Sequence, residues 1–300
     1  LFQKQTNNTL LVLLGPTGVG KTDAGIRLAQ LFHTEIVSCD SRQLYREMRI
    51  GTAMPSEEQL SAVRHHFIAS RSVHEPYTAG KYETDALALL SQLFQKQEVV
   101  VMIGGSGLYI DAVCNGIDDF QEHIPELRES LMQRLEREGL EALRHELKLL
   151  DPESYHKLDL KNPRRILRAL EVCLSTGKPF SSFKKEAKKT RPFHIVKIGL
   201  QRPREELYRR INLRTLQMME EGWEAEARKL YPFRHLPALN TVGYKELFDY
   251  FDGKTTLSEA VSLIQQHTRN YAKKQLSYWG RDKEIRWVDA EKQFSCSLSI

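Results

Sequence analysis

Eight consecutive residues announce the first chemistry: Gly15-Pro16-Thr17-Gly18-Val19-Gly20-Lys21-Thr22 spell G-x-x-x-x-G-K-T. The apolar run Leu10–Leu14 precedes them and an amphipathic segment follows, the strand–loop–helix setting in which this spacing cradles phosphate. In that setting backbone N–H groups and a helix N-terminus surround a di- or triphosphate, and Lys21 neutralises its charge. The Thr22 hydroxyl would ligate Mg²⁺. The motif establishes phosphate binding and leaves the compound and its fate open.

Further along, Asp40-Ser41-Arg42-Gln43 follow the apolar stretch Glu35–Cys39. A carboxylate at the end of a strand, facing a bound phosphate, reads equally as Mg²⁺ ligand, general base or N-cap of the next helix. The run Glu98–Ile103 ends in Gly104-Gly105-Ser106-Gly107, where an ordinary ATPase places a metal-binding Asp. Glycines there argue against such an ATPase and suggest backbone passing close to a ligand. Arg214 shares a helical stripe with Leu207, Ile211 and Met218, and either snorkels to solvent or reaches a phosphate. Near the C-terminus Gln266, Arg269 and Lys273 fall on one helix face with Tyr271, Tyr278 and Trp279 nearby, a mixture that suits RNA or a half-buried helix with a solvated basic face. His65 and His66 are adjacent, with no third ligand at metal spacing, and read as structural.

These residues need elements to hold them. Leu10–Leu14, Glu35–Cys39, Glu98–Ile103 and His194–Leu200 read as strands, short and largely apolar as in a parallel sheet. Helical patterns alternate with them, so the expected fold class is α/β, a P-loop NTPase-like parallel sheet with helices on both faces. Ligands of such sheets sit at the carboxyl ends of the strands, which gathers the phosphate loop, Asp40 and the Gly104–Gly107 turn. From about Gln121 to Thr190 the texture changes. Leu127, Leu131 and Leu135 repeat every four residues, Gly139 interrupts, and Leu140, Leu143, Leu147 and Leu150 resume. Asn162-Pro163 then opens a helix through Leu174 that Gly177-Lys178-Pro179 stops. This stretch reads as a helical insertion domain, 121–190, within a core of 1–120 and 191–300. Single helices are expected over Arg204–Tyr231 and Thr256–Trp279, the latter opened by a Thr256/Glu259 capping box.

Composition bounds the rest. The 300 residues are 41% hydrophobic and 28% charged, ordinary for a soluble domain with a sizeable core. No stretch has the length and apolarity of a membrane span, and no signal region opens the chain. Cys39, Cys114, Cys173 and Cys296 are scattered, with neither zinc spacing nor a disulfide framework, which fits a cytoplasmic protein. The net charge is +5, unevenly spread: Lys161 to Arg191 holds ten Lys or Arg against Glu171 and Glu186. Such a window is the footprint of a polyanion partner or a solvated surface.

Together these segments resemble the tRNA dimethylallyltransferase family from about Leu10 to Trp287. The matching pieces are GPTGVGKT at 15–22, DSRQLYREMRIGTAMPS at 40–56, HHFI at 65–68 and GGSGLYIDAV at 104–113, then NPRRILRALEV at 162–172, VGYKE at 242–246 and TRNYAKKQLSYW at 268–279. Arg64 stands where the family usually has Pro, and Ser106 where Thr is common. The resemblance implies transfer of a dimethylallyl group from dimethylallyl diphosphate to N6 of the adenosine 3′ of the anticodon, with Mg²⁺ as cofactor. Gly15–Thr22 would then hold a leaving group, with Lys21, Thr22 and Arg214 stabilising charge as the C–O bond breaks. Asp40 would accept the N6 proton. The resemblance further implies tRNA contacts at Asp40, Ser41, Arg42, Gln43 and Ser106, at Arg164, Arg165, Ile166, Leu167 and Arg168, and at Asn240, Thr241, Val242, Gly243, Tyr244 and Lys245. Arg128 in the insertion and Arg269 and Lys273 on the last helix complete the expected footprint. The insertion would close over the anticodon stem-loop of a monomeric enzyme. A phosphotransferase on the same loop, a nucleotide-gated RNA-binding module and a prenyltransferase acting on free adenine nucleotides are the competing classes. The first leaves the basic window and the basic-aromatic final helix unexplained, and the second predicts RNA affinity that depends on nucleotide and no product.

Overall fold

In the computed structural model of the chain, residues 8–117, 124–183 and 189–291 are described. They divide into two compact units, one of 1–115 with 190–300 and one of Gly116–Lys189. The first is built on six strands: β1 (Thr9–Leu14), β2 (Ile36–Ser38), β3 (His65–His66), β4 (Val99–Gly104), β5 (His194–Gln201) and β6 (Ile285–Asp289). All pairings are parallel, in the order β3-β2-β4-β1-β5-β6. β1 is central, with Leu10 opposite Val100 of β4 and Ile195 of β5.

The unbroken apolar run of β1 is a consequence of burial on two faces. Leu10, Val12 and Leu14 enter one core with Val100 and Met102; Leu11 and Leu13 enter the other with Val101 and Ile103. On the second face lie α1 (Lys21–Leu31) and, after the short α2 (Glu57–Ala62), residues of α8 (Arg204–Glu220). The first face carries α3 (Ala79–Leu93), α4 (Gly107–Asn115), α9 (Trp223–Leu230), α10 (Tyr244–Phe251) and much of α11 (Leu257–Trp279).

The insertion contains α5 (Pro125–Leu150), α6 (Pro152–Lys157) and α7 (Pro163–Thr176). Leu131, Leu143, Leu147, Ile166, Leu167, Ala169 and Leu170 form a hydrophobic core of its own. Asn162 caps α7 by accepting from the Arg164 N–H, and Gly177 ends it in the left-handed conformation. α5 is broken at Gly139, φ 80°, where the leucine repeat shifts.

One local expectation is corrected, one element is added and one reading is filled in. The single helix expected over Arg204–Tyr231 is two, because Gly222 at φ 98° turns the chain between α8 and α9. β6 was not foreseen; it is a short edge strand in which Trp287 lies opposite Gly199 of β5. His65 and His66, read as structural, form the outermost strand β3, with His66 paired to Glu35. The Thr256/Glu259 capping box is present. Among the described residues no helix is long and apolar enough to cross a membrane. Cys296 and the basic residues Lys184, Lys185 and Lys188 lie outside the described residues.

Candidate active site

The phosphate loop leaves β1 and enters α1 through Gly20, whose φ of 104° is a left-handed conformation that suits glycine. Val19 is fully buried in the second core and pins the loop to the sheet. The amides of Gly18, Gly20, Lys21 and Thr22 have no protein acceptor among the described residues. Lys21 folds back over the loop, donating to the Gly15 and Pro16 carbonyls at 2.9 and 3.0 Å. Burial pushes its ammonium down from 10.5 to about 8, opposed by Asp40 and reinforced by Arg214.

α8 crosses this loop and supplies guanidinium groups. Arg214 Nη2 donates to Thr17 Oγ1 at 2.6 Å, so Arg214 reaches into the loop rather than out to solvent. Burial holds its pKa below the usual arginine value, with Asp40 raising it and Arg210 lowering it. Two further arginines were not singled out from sequence. Arg210 Nε donates to Gly18 O at 2.9 Å, and Arg202 Nε to Val19 O at 2.9 Å. Arg210 lies one turn before Arg214, so the stripe spacing that revealed one could have revealed the other.

A cavity of about 550 Å³ opens above the loop, lined by Thr17, Gly18, Lys21, Thr22, Arg210 and Arg214 together with Ser38 and Asp40. Among the described residues Lys21, Arg210 and Arg214 form no ion pair with a carboxylate. Three converging cations and four unpaired amides make a site for a multiply charged anion. Thr52, Ala53, Pro55, Ile68 and Leu213 add uncharged wall to the same cavity.

Asp40 follows β2. Its Oδ1 accepts from the Arg42 and Gln43 amides at 2.8 and 3.3 Å, closing a turn and not capping a helix, since none follows directly and α2 is capped by Ser56, while Oδ2 has no hydrogen-bond partner among the described residues. The carboxylate therefore both closes its turn and keeps one oxygen for chemistry. Ser106 Oγ accepts the Ser41 N–H at 2.9 Å and joins the Gly104–Gly107 turn to the residue beside Asp40. Arg42 Nη1 donates to the Pro237 and Ala238 carbonyls, and Gln43 Nε2 to Thr52 O and Ala53 O. These two side chains brace loops.

The glycines of the Gly104–Gly107 turn are crowded by protein neighbours, and Gly104 also lines the cavity. A Cβ on Gly104 would lie 2.5 Å from Cys39 Sγ, one on Gly105 2.5 Å from Gln275 Nε2, and one on Gly107 2.4 Å from the Tyr278 ring. Cys39 is fully buried, and burial raises its thiol pKa well above the usual value. Gln275, also unforeseen, is 6% exposed and bridges the phosphate loop to this turn: its Oε1 accepts from Thr17 N and its Nε2 donates to Gly105 O, both at 2.8 Å.

Magnesium fits this donor set. No group of three or more His, Cys, Asp or Glu among the described residues could cage a metal. The oxygens of Thr22, Ser38 and Asp40 line the cavity. Mg²⁺ takes few protein oxygens and completes its shell with phosphate and water, so Thr22 and Asp40 are the residues that could hold it.

The remaining expected contact residues separate by exposure. Arg164 and Arg165 are exposed on α7 and have no ion-pair partner among the described residues. Arg128 and Arg168 converge on the buried Glu171, at 3.2 and 3.1 Å. Ile166 and Leu167 are buried in the insertion core, where their side chains pack. Asn240 and Lys245 are exposed, and Thr241 and Val242 partly so. Gly243 and Tyr244 are buried; the Tyr244 hydroxyl donates to Glu226 at 2.6 Å, which also accepts from the Ile50 and Gly51 amides. Arg269 donates to Asn212 Oδ1 and lies with Lys273 over the Tyr208 ring. Tyr271 and Tyr278 are 41% and 48% exposed, whereas Trp279 is a core residue at 4%.

Comparisons with known proteins place the chain among its relatives. The profile of the IPP transferase family matches residues 43–282. The chain is 53% identical over 294 residues to tRNA dimethylallyltransferase 2 of Porphyromonas gingivalis, covering 98% of each. It is 53% identical over 285 residues to tRNA dimethylallyltransferase 1 of Bacteroides thetaiotaomicron, covering 95% of this chain and 92% of that one. Among solved structures, the tRNA isopentenylpyrophosphate transferase of Bacillus halodurans is 34% identical with a TM-score of 0.70, over 96% of this chain and 92% of that chain. A eukaryotic dimethylallyltransferase acting on tRNA is 25% identical with a TM-score of 0.81, over 94% of this chain and 74% of that chain. With a family profile spanning most of its length and relatives at half identity over nearly all of it, the chain belongs to the IPP transferase family and is a prenyltransferase of the tRNA dimethylallyltransferase kind.

Proposed function

We propose that this enzyme transfers the dimethylallyl group of dimethylallyl diphosphate to N6 of the adenosine 3′ of the anticodon, tRNA position 37, releasing diphosphate. The observation that carries the reading is the single cavity in which Lys21, Arg210 and Arg214 face a site that Asp40 also lines. Cations gather where a leaving group would gain charge, and an acceptor oxygen stands where a nucleophile would lose a proton.

In the reaction the allylic C1–O bond breaks and the N6–C1 bond forms, the electron pair of the broken bond leaving on diphosphate. An exocyclic adenine amine is a weak nucleophile, so removal of its proton by Asp40 Oδ2 assists attack. The loop amides, Lys21 and Arg214 stabilise the departing diphosphate, whose charge rises as the C–O bond lengthens. Bound Mg²⁺, held by the Thr22 hydroxyl and the diphosphate oxygens, would add a further counter-charge. Ala53, Pro55, Ile68 and Leu213 offer the isoprenyl chain an apolar wall.

The acceptor base must leave its stack to reach the strand ends, which calls for a grip on flanking RNA. The exposed cations Arg164, Arg165, Lys245 and Lys273, with Asn240 and Tyr271, suit that task. All the chemistry comes from one chain, consistent with a monomer, and the buried, unpaired Cys39, Cys114 and Cys173 suit the cytoplasm.

The test is transfer of labelled dimethylallyl diphosphate to unmodified tRNA with Mg²⁺, beside ATP-only and free-AMP controls. Label in tRNA is the expected result. Label in AMP alone would point to a nucleotide prenyltransferase, and ATP hydrolysis without transfer would overturn the reading.

A further inference from the structure

We infer that Gln275 is a positioning residue that sets the distance between the leaving-group site and the catalytic base. The inference rests on the reaction proposed above. A line of hydrogen bonds runs from one side of the cavity to the other. It starts where Arg214 Nη2 meets Thr17 Oγ1 at 2.6 Å. The Thr17 amide donates to Gln275 Oε1 at 2.8 Å. The Gln275 carboxamide then donates through Nε2 to Gly105 O at 2.8 Å. The next residue, Ser106, accepts the Ser41 N–H at 2.9 Å, and its hydroxyl lies 3.1 Å from Ser41 Oγ. Ser41 is bonded to Asp40.

Three properties make Gln275 the keystone of that line. It is 6% exposed, and its bond to Gly105 O is fully buried, so that bond does not compete with bulk water. Only a carboxamide accepts and donates at once from one planar group of this length, so it ties an N–H on one loop to a carbonyl on another. Its fit is tight, since any side chain at Gly105 would start 2.5 Å from Nε2. Its bonds to Thr17 and Gly105 are to backbone groups of loops that carry Arg214's anchor on one side and Asp40's on the other, and Tyr271 lies beside it as a further partner. Losing it lets the diphosphate loop and the base drift apart, while the loop's free amides and cations still bind diphosphate.

The test compares wild type, Gln275→Met, Ser106→Ala and the double variant in full-length enzyme, with dimethylallyl diphosphate and unmodified tRNA. Gln275→Met keeps the length and removes the hydrogen bonds to both loops. It is expected to lower the single-turnover rate about 20- to 100-fold, the penalty of roughly 1 Å of misplacement, with KM for dimethylallyl diphosphate within about threefold of wild type. The double variant is expected to lose no more than the worse single one, because both cut the same line. Should Gln275→Met fail to fold by thermal melting, Gln275→Glu takes its place, retaining the acceptor for Thr17 and losing the donor to Gly105. A single-turnover rate within threefold of wild type, a rise in KM at unchanged rate, or losses that multiply in the double variant would each overturn the inference. Absence of transfer by the wild-type enzyme would instead overturn the reaction on which it rests.

Discussion

Lys21 makes substrate binding depend on pH in a calculable way. In the ligand-free fold burial holds its ammonium near 8, against an ordinary 10.5. A lowered lysine pKa means that the empty site disfavours the charged form. An entering diphosphate reverses this, because an anion favours the charged form and draws the pKa back up. Binding above pH 8 therefore takes up a proton. With a pKa of about 8, roughly nine-tenths of the free enzyme carries the charge at pH 7 and roughly one-tenth at pH 9. If the charged form is the one that binds, Kd rises about tenfold over that interval, about 1.4 kcal/mol. Titration calorimetry with dimethylallyl diphosphate, whose terminal phosphate titrates near 6 like other phosphate esters, measures both quantities. Kd comes from the isotherm, and the proton count from the heat in two buffers of different ionisation enthalpy. At pH 9 close to one proton should enter per ligand bound; at pH 7 almost none. A Kd flat from pH 7 to 9, with no proton uptake at pH 9, would refute the assignment of Lys21 as a desolvated cation that faces the diphosphate.

Asp40→Asn keeps a side-chain oxygen for closing the turn, so the fold should stand while the single-turnover rate falls about 10²- to 10⁴-fold; a rate within a few-fold of wild type would remove Asp40 from the base role. Replacing Arg164 and Arg165 together with Ala should weaken tRNA binding and reduce the slope of log K against log salt by roughly 1.4 to 1.8. Filter binding across a salt series reads this directly, and an unchanged slope would place the RNA footprint elsewhere. Glu226→Ala strips one acceptor from the Ile50 amide, the Gly51 amide and the Tyr244 hydroxyl at once. The expected loss is about 2–4 kcal/mol by denaturant melting, and less than about 1 kcal/mol would show that these groups find other partners.

The legible parts of the chain were those whose signals are local. β1, β4 and β5 announce themselves because both their faces are buried, and the phosphate loop because its glycines, Lys21 and Thr22 sit at fixed spacing on the segment joining strand to helix. Gln275 was silent because its two partners lie 258 and 170 residues away, and nothing in its neighbours marks a buried carboxamide. The glycines after β4 were visible, but what crowds them was not: Cys39, Gln275 and Tyr278 arrive from distant segments. β6 is short, lies at the edge and mixes Arg286 and Asp289 with apolar residues, so its pairing with β5 decides it more than its own pattern. In the insertion, a motif that reads as one RNA-contact block divides on α7, Arg164 and Arg165 outward, Ile166 and Leu167 inward. Helical geometry alone separates these neighbours.

The separate hydrophobic core of Gly116–Lys189 bears on how the sheet is assembled. β1 pairs on one side with β5, so Thr9 must find His194 across most of the chain. Closing so long a loop from an open coil is slow, because the entropy is lost before the strand pair compensates it. An insertion that condenses first around Leu131, Leu143, Ile166 and Leu170 shortens the free chain that must be closed. The same order leaves β6 to pair last, since among the described residues its one strand neighbour is β5. During synthesis, the P-loop half would thus wait with the β5 side of β1 unpaired until the chain beyond the insertion emerged, and the site would form only at the end.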